Sequence, residues 1–322
     1  MRPVRLAVDV ISGDFGSRVL LKGVIEARRR SETPFVALLC GDEQTILSDL
    51  ENLGHARNND GCLLVEHCPQ LVDPGEAPSR VWKTKKLSSI IRCVTLQKEG
   101  VVDASLSAGD TGILMGAAIF LLGRLDKTAR PALAAFLPTT AQRPSLLLDV
   151  GANLDCRAEH LVTFGLMGFN YFASYFNLEC PRVGLLNIGH EASKGTRAIA
   201  LAGEELARTC EGYCGFVEGG RVLSGDVDVV VCDGFVGNVL LKACESFHAL
   251  TESVLSGSKR LVRAVKKRMT ILNPENYGAV PLLGIRGIVF KAHGSSSAEA
   301  FANALVAAVT AVHRGLPMMK NL

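Results

Sequence analysis

The stretch LAVDVISGDFGSRVLLKGVIEARRRSETPFVALLC, residues 6–40, sets the architecture. Residues 6–10 are an apolar run broken by one aspartate, which predicts a buried strand. A glycine turn follows, and residues 18–30 carry apolar side chains at helical spacing. Residues 35–40 (FVALLC) are again continuously apolar. A strand, a helix and a second fully apolar strand form the unit from which parallel sheets are built, because both faces of such strands are covered.

The alternation continues outward. Strands are predicted at 62–66, 103–107, 133–137, 146–150, 183–188, 227–232 and 288–292. Helices are predicted at 44–53, 88–99, 160–176, 196–209, 239–254 and 298–314. No Pro/Gly/Ser-rich linker and no internal repeat divides the chain. The expected fold class is therefore α/β, with a mostly parallel sheet between helical layers in one two-lobed domain spanning 1–322.

Composition narrows the function classes. The chain has 322 residues, 48% of them hydrophobic, and a formal net charge of +3. That hydrophobic content argues against disorder, and the near-neutral balance gives no general case for nucleic acid. One Trp and four Tyr supply no evident base-stacking platform. The mean hydropathy is +0.24. The longest uncharged apolar run, 112–123, is nevertheless short of the ~20 residues a bilayer requires. The apolar run near the N-terminus stops at Asp9, which argues against a signal peptide. Ten cysteines are scattered without C-x2-C pairs, so reduced, mostly buried thiols in a cytoplasmic protein are expected.

One segment departs from the pattern. Residues 253–272 carry Lys259, Arg260, Arg263, Lys266, Lys267 and Arg268 with no acidic residue. Leu255, Val262, Val265, Met269 and Leu272 fall at helical spacing opposite them. The readings are a solvated basic helix, an interfacial membrane helix, or a dock for an acidic partner. Such a helix is expected to project from the domain at about 250–275.

Six strands end in small polar clusters: VDVISGDFG (8–16), LSAGDTGILMG (106–116), LDVGANLD (148–155), LLNIGHEASKG (185–195), VCDGFVGNVLLK (231–242) and KAHGSSSAEAF (291–301). Ligands of open α/β sheets sit at the carboxyl ends of strands. Glycine lets backbone N–H groups approach a ligand, and helix N-termini favour anions. P-loop, dinucleotide, serine-hydrolase and zinc-protease signatures are absent. What remains is an anion pocket built largely from backbone amides.

These motifs, together with NPENYGAVPLLG (273–284), occur in the order and spacing of the bacterial phosphate acyltransferases, and the chain resembles that family from about residue 4 to about 314. The resemblance implies a fold like that of phosphotransacetylases and isopropylmalate dehydrogenases, and a homodimer. It implies acyl phosphate formation from inorganic phosphate and an acyl carrier protein thioester, without nucleotide, metal or redox cofactor. The product would pass to a membrane glycerol-phosphate acyltransferase in phospholipid synthesis, and the protein would attach peripherally to an anionic membrane surface. Four positions depart from the family pattern: Ser12, Asp110, His190 and Ser297. Asp110 stands where asparagine is usual, and a carboxylate beside phosphate is repulsive unless protonated or paired with a lysine or arginine.

The resemblance also suggests roles. Lys194 is a phosphate-binding candidate or a solvated loop lysine. Asn238 is a donor to the oxyanion or phosphate, or the cap of the helix that follows it. His293 is an acid for the leaving thiolate or a structural histidine, with Gly294 and Ser295 beside it. Ser107, Gly109, Asp110, Thr111 and Gly112 resemble a phosphate cradle, with Asn153 on its rim. Asp233 is expected to orient Lys194 or a ligand hydroxyl, and Asp14 to cap the helix after it. Cys232, next to Asp233, is disfavoured as a covalent nucleophile because a neighbouring carboxylate raises a thiol pKa. The alternatives are a phosphotransacetylase using short acyl-CoA and, less favoured, a dehydrogenase of related fold.

Overall fold

A computed structural model describes residues 2–55, 61–73, 75–126, 129–141, 143–191, 193–255 and 280–315. These fall into two compact units, the first formed by 2–126 with 280–315 and the second by 129–255. The basic segment from residue 256 onward and the NPENYG motif lie outside the described residues.

The first unit has a sheet in the order β3 (Leu63–His67), β2 (Phe35–Gly41), β1 (Val4–Asp9), β4 (Ala104–Ser107), β11 (Ile288–Lys291) and β10 (Val280–Leu283). All pairings are parallel except β10 with β11. Helix α1 (Ser17–Arg30) buries Leu20, Leu21, Val24 and Ala27. It packs on α9 (Ala298–His313). At the crossing, a Cβ on Gly23 would lie 2.8 Å from the Ala298 carbonyl, so only glycine permits the approach. On the opposite face α4 (Ser89–Lys98) covers β1, β2 and β4 with Ile90, Ile91, Val94 and Leu96.

The second unit has the order β5 (Ala132–Leu137), β6 (Ser145–Leu148), β9 (Val229–Val231), β7 (Val183–Asn187) and β8 (Tyr213–Glu218). Only β5 runs antiparallel to its neighbour. Helix α6 (Ala158–Phe176) packs Phe164 and Phe172, both fully buried, towards β6 and β9. Helix α7 (Arg197–Thr209) is capped by Thr196, whose hydroxyl accepts from the Ile199 N–H at 3.3 Å.

In both units the α/β class with mainly parallel strands is as expected. Register then decides where chemistry can sit. In the first unit Asp9 pairs with Ser107 and Ser107 with Lys291, so β1, β4 and β11 end level. In the second, Leu148 pairs with Val231 and Val231 with Leu185. Each unit therefore presents three of the six glycine loops side by side at the carboxyl ends of its parallel strands. Among the described residues no helix is long and apolar enough to cross a membrane.

Candidate active site

In the first unit a buried carboxylate organises the loops. Asp9 is fully buried at the end of β1, and its Oδ1 accepts from the Ile11 and Ser12 N–H groups at 3.3 Å. Its Oδ2 accepts from the Ser107 hydroxyl at 2.6 Å, and that oxygen accepts in turn from the Gly109 N–H at 2.9 Å. Ser107 is thus a fully buried brace behind the loop rather than a hydroxyl on its surface. Ser12, the departure from double glycine, is accommodated with its Oγ 3.4 Å from that of Ser89.

Among the described residues Asp110 pairs with no lysine or arginine. It is the N-cap of α5 (Thr111–Ala117), and its Oδ1 accepts from the Ile113 N–H at 2.9 Å. A helix start favours a carboxylate there, which gives Asp110 a capping role at this departure from the family pattern. Thr111 and Gly112 form the first residues of that helix, next to Gly109 in the same loop. Gly112 lies against Pro78, whose Cγ would be 3.0 Å from a Cβ at this position.

The loop after β11 carries His293, Gly294 and Ser295. The Ser295 N–H donates to His293 Nδ1 at 3.2 Å, and the Ser295 hydroxyl lies 2.7 Å from the same nitrogen. With Nδ1 accepting, the neutral ring carries its proton on Nε2. The Gly294 carbonyl accepts from the Asp14 N–H at 2.8 Å, and a Cβ on Gly294 would lie 2.8 Å from the Asp14 carboxylate. Asp14 does not cap α1. The cap is Gly16, at φ 79, with no side-chain bond. The asparagine-to-serine departure at Ser297 is also a cap, accepting from the Ala300 N–H at 3.1 Å.

The second unit repeats the device with Asp149. It is fully buried after β6 and accepts from the N–H groups of Leu133, Gly151 and Ala152 on Oδ1. On Oδ2 it accepts from the Asn153 N–H at 2.7 Å and the Asn153 amide at 2.9 Å. Burial pushes the Asp149 carboxyl above its usual range, with these donors opposing. Asn153 gives its other contact to the Pro131 carbonyl at 2.8 Å, so its amide ties the loop together.

Asn238 lies elsewhere than expected. Helix α8 runs Gly234–Leu255 and begins a turn before Asn238. Asp233 supplies the cap contact, accepting from the Val236 N–H at 2.9 Å. Asn238 is exposed within the first turns and faces Gly151, and its carboxamide makes no hydrogen bond among the described residues. Cys232 is buried beneath this turn. Burial pushes its thiol well up, and the charges of Asp233 and Asp149 add to the shift.

Lys194 pairs with Glu191 at 2.8 Å rather than with Asp233, and both side chains are more than half exposed. Glu191 raises the Lys194 ammonium above the ordinary lysine range, so it stays charged at neutral pH. The loop's hidden organiser is Asn187, which the sequence did not single out. Its amide donates to the Lys194 carbonyl at 2.7 Å, and its Oδ1 accepts from the Ile188 N–H at 2.9 Å. Gly195, at φ 99, passes so close to Asn187 that no side chain fits. His190 is exposed, with Nδ1 3.3 Å from the Phe216 carbonyl.

Residues 4–319 match the family described as "Fatty acid synthesis protein". A phosphate acyltransferase of Desulforudis audaxviator is 40% identical over 97% of this chain and 94% of its own length. That of Moorella thermoacetica is 38% identical over the same shares. The chain belongs to this family. It is an acyltransferase, and its relatives' shared name supports phosphate as the acyl acceptor. Solved structures agree on the fold. A phosphotransacetylase from Streptococcus pyogenes aligns with a TM-score of 0.66 at 14% identity, covering 97% of this chain and 94% of that one. A branched-chain phosphotransacylase from Enterococcus faecalis V583 gives 0.61 at 17% identity, covering 96% and 99%.

Proposed function

We propose that the protein makes acyl phosphate from inorganic phosphate and an acyl carrier protein thioester, as an early step of glycerophospholipid synthesis. The observation that carries the chemistry is the division of labour in the glycine loops. Asp9, Asp149 and Asn187 bind the inner donors and hold the loops in shape. An ammonium (Lys194), a carboxamide (Asn238) and an imidazole (His293) are left exposed on the loops or the helix start that follows. The thiols nearest the second unit's loops are poor nucleophiles: Cys232 is pushed well up, and burial raises Cys156 to about 11.

This arrangement suits direct attack by phosphate, which at neutral pH is already a nucleophile. In the first unit the amides at the start of α5 would favour an anion, and in the second the Lys194 ammonium would do so. Asn238 would donate to the oxyanion, where one donor contributes ~3–4 kcal/mol. The Nε2–H of the neutral His293 ring would donate a hydrogen bond to the departing sulfur, and the thiolate would take the proton that monohydrogen phosphate loses on forming the acyl phosphate. Orientation of the two substrates lowers the barrier by roughly 7–11 kcal/mol at best.

A homodimer is supported by the exposed apolar stripe Phe235, Val239, Phe247, Leu250 and Val254 along α8. Attachment to an anionic membrane surface rests on the sequence of residues 253–272. Turnover of an octanoyl or longer acyl carrier protein compared with acetyl-CoA tests the substrate. Preference for acetyl-CoA would replace this reading with a short-chain phosphotransacetylase.

A further inference from the structure

The first unit carries a small basic surface that the reaction itself does not use. Residues 77–98 contain six basic side chains and no acidic one. Two are neutralised: Lys85 by Glu76 at 3.2 Å and Asp73 at 3.5 Å, and Arg92 by Glu66 at 2.6 Å and Glu99 at 3.3 Å. Arg80, Lys83 and Lys86 are exposed and have no carboxylate within 4 Å among the described residues. Arg80 and Lys83 are three apart on α3 (Pro78–Thr84), so they share one face, and Lys86 follows in the turn after the helix ends.

The position of this surface is specific. Helix α3 starts on Gly112 through Pro78, and the Pro78 carbonyl would be 3.4 Å from a Cβ on Gly116. The strand of chain that leaves α3 reaches Ser89, whose Oγ is 3.4 Å from that of Ser12 in the loop after β1. The segment that carries the three cations therefore begins and ends against two of the unit's glycine loops. Apolar surface accompanies them. Leu87 is 51% exposed, and Phe120, 54% exposed, stacks on Trp82 at 4.3 Å between ring centroids. Lys83 Nζ lies over the Trp82 ring, 4.9 Å from its centroid, which ties its ammonium to that aromatic pair.

We propose that Arg80, Lys83 and Lys86, with Leu87 and Phe120 beside them, dock the acidic carrier protein that delivers the acyl thioester. The inference rests on the carrier-dependent reading above and assigns the carrier to α3 rather than to residues 253–272. Complementary charge accelerates encounter and fixes orientation, and unpaired cations on a segment beside the loops serve both. A lipid surface would need no adjacency to the loops, whereas a tethered thioester must enter them.

The test is R80E/K83E/K86E in the full chain, with R80K/K83R/K86R as the charge-retaining control. Acyl phosphate formation is measured with acyl carrier protein and with the same acyl group on pantetheine, which lacks the carrier. Far-UV circular dichroism confirms folding. The expected result is a KM for acyl carrier protein raised at least about tenfold, with its salt dependence reduced. Turnover of acyl-pantetheine stays within about twofold of wild type, and the control behaves as wild type. An unchanged KM for the carrier, or equal loss with both thioesters, overturns the assignment. Loss of anionic-vesicle binding with the KM unchanged makes the patch a lipid contact and also overturns it. Failure of the wild-type protein to use acyl carrier protein at all would instead remove the substrate reading on which the inference rests.

Discussion

Asp9 and Asp149 hold equivalent loops, yet replacement by asparagine should separate them sharply. All five partners of Asp149 are N–H groups: Leu133, Gly151 and Ala152 on one oxygen, and two donors of Asn153 on the other. Four are backbone N–H groups that cannot turn round to accept, and the Asn153 amide could do so only by giving up its bond to the Pro131 carbonyl. In Asp149→Asn the new amide nitrogen must face at least the two Asn153 donors. Losing two hydrogen bonds to a charged acceptor costs about 3–6 kcal/mol. Removing a buried charge, whose cost is visible in the raised carboxyl, offsets part of this. The net loss is on the order of 2 kcal/mol or more. Asp9 differs because one of its partners is the Ser107 hydroxyl, which can reverse and accept from the amide. Asp9→Asn should cost about 1 kcal/mol or less. Urea unfolding followed by far-UV circular dichroism measures both. Asp149→Asn within 1 kcal/mol of wild type, or Asp9→Asn as costly as Asp149→Asn, would refute the reasoning from donor direction.

Lys194→Ala and Asn238→Ala should each lower phosphate-dependent turnover by at least about 100-fold, the scale of one lost charged or oxyanion contact, with the circular dichroism spectrum unchanged. Near-normal turnover in either variant removes that residue from the mechanism. Cys232→Ser should keep most activity, because phosphate is the nucleophile, and an acyl group trapped on any cysteine would overturn direct transfer. Val262→Glu with Val265→Glu should abolish co-sedimentation with anionic vesicles while leaving catalysis in solution largely intact. Unchanged co-sedimentation would sink the membrane role of 253–272.

The fold was legible wherever apolar runs were long and buried. LAVDV, FVALLC and the valines before Cys232 became parallel strands within one or two residues of expectation. Edges were less legible. β8, YCGFVE, is half exposed, and Gly215 at φ 100 interrupts it. The seven residues of α3, with Pro78 in the first turn, show too few turns for periodicity to register. The glycine loops were correctly located at strand ends, but their polar residues were harder to sort. Asp110, Asp233 and Ser297 all read as ligand contacts or departures, and all three cap helices. Gly234 reads as a turn, which hid the true start of α8 and with it the position of Asn238. The buried organisers Asp9, Asp149 and Asn187 share one sequence signal: a polar residue at the end of an apolar run, two to four residues before a glycine. The signal marks the turn, but only the structure reveals that the side chain points inward to hold it.

The most direct measurement is product formation by the purified full chain given acyl carrier protein thioester and phosphate, with a chelator present and no nucleotide. Phosphate carrying an isotopic label makes the product unambiguous. The account predicts labelled acyl phosphate appearing in step with free carrier thiol, at a rate that saturates with phosphate. Thioester loss without labelled acyl phosphate, or labelled product from acetyl-CoA alone, would contradict it.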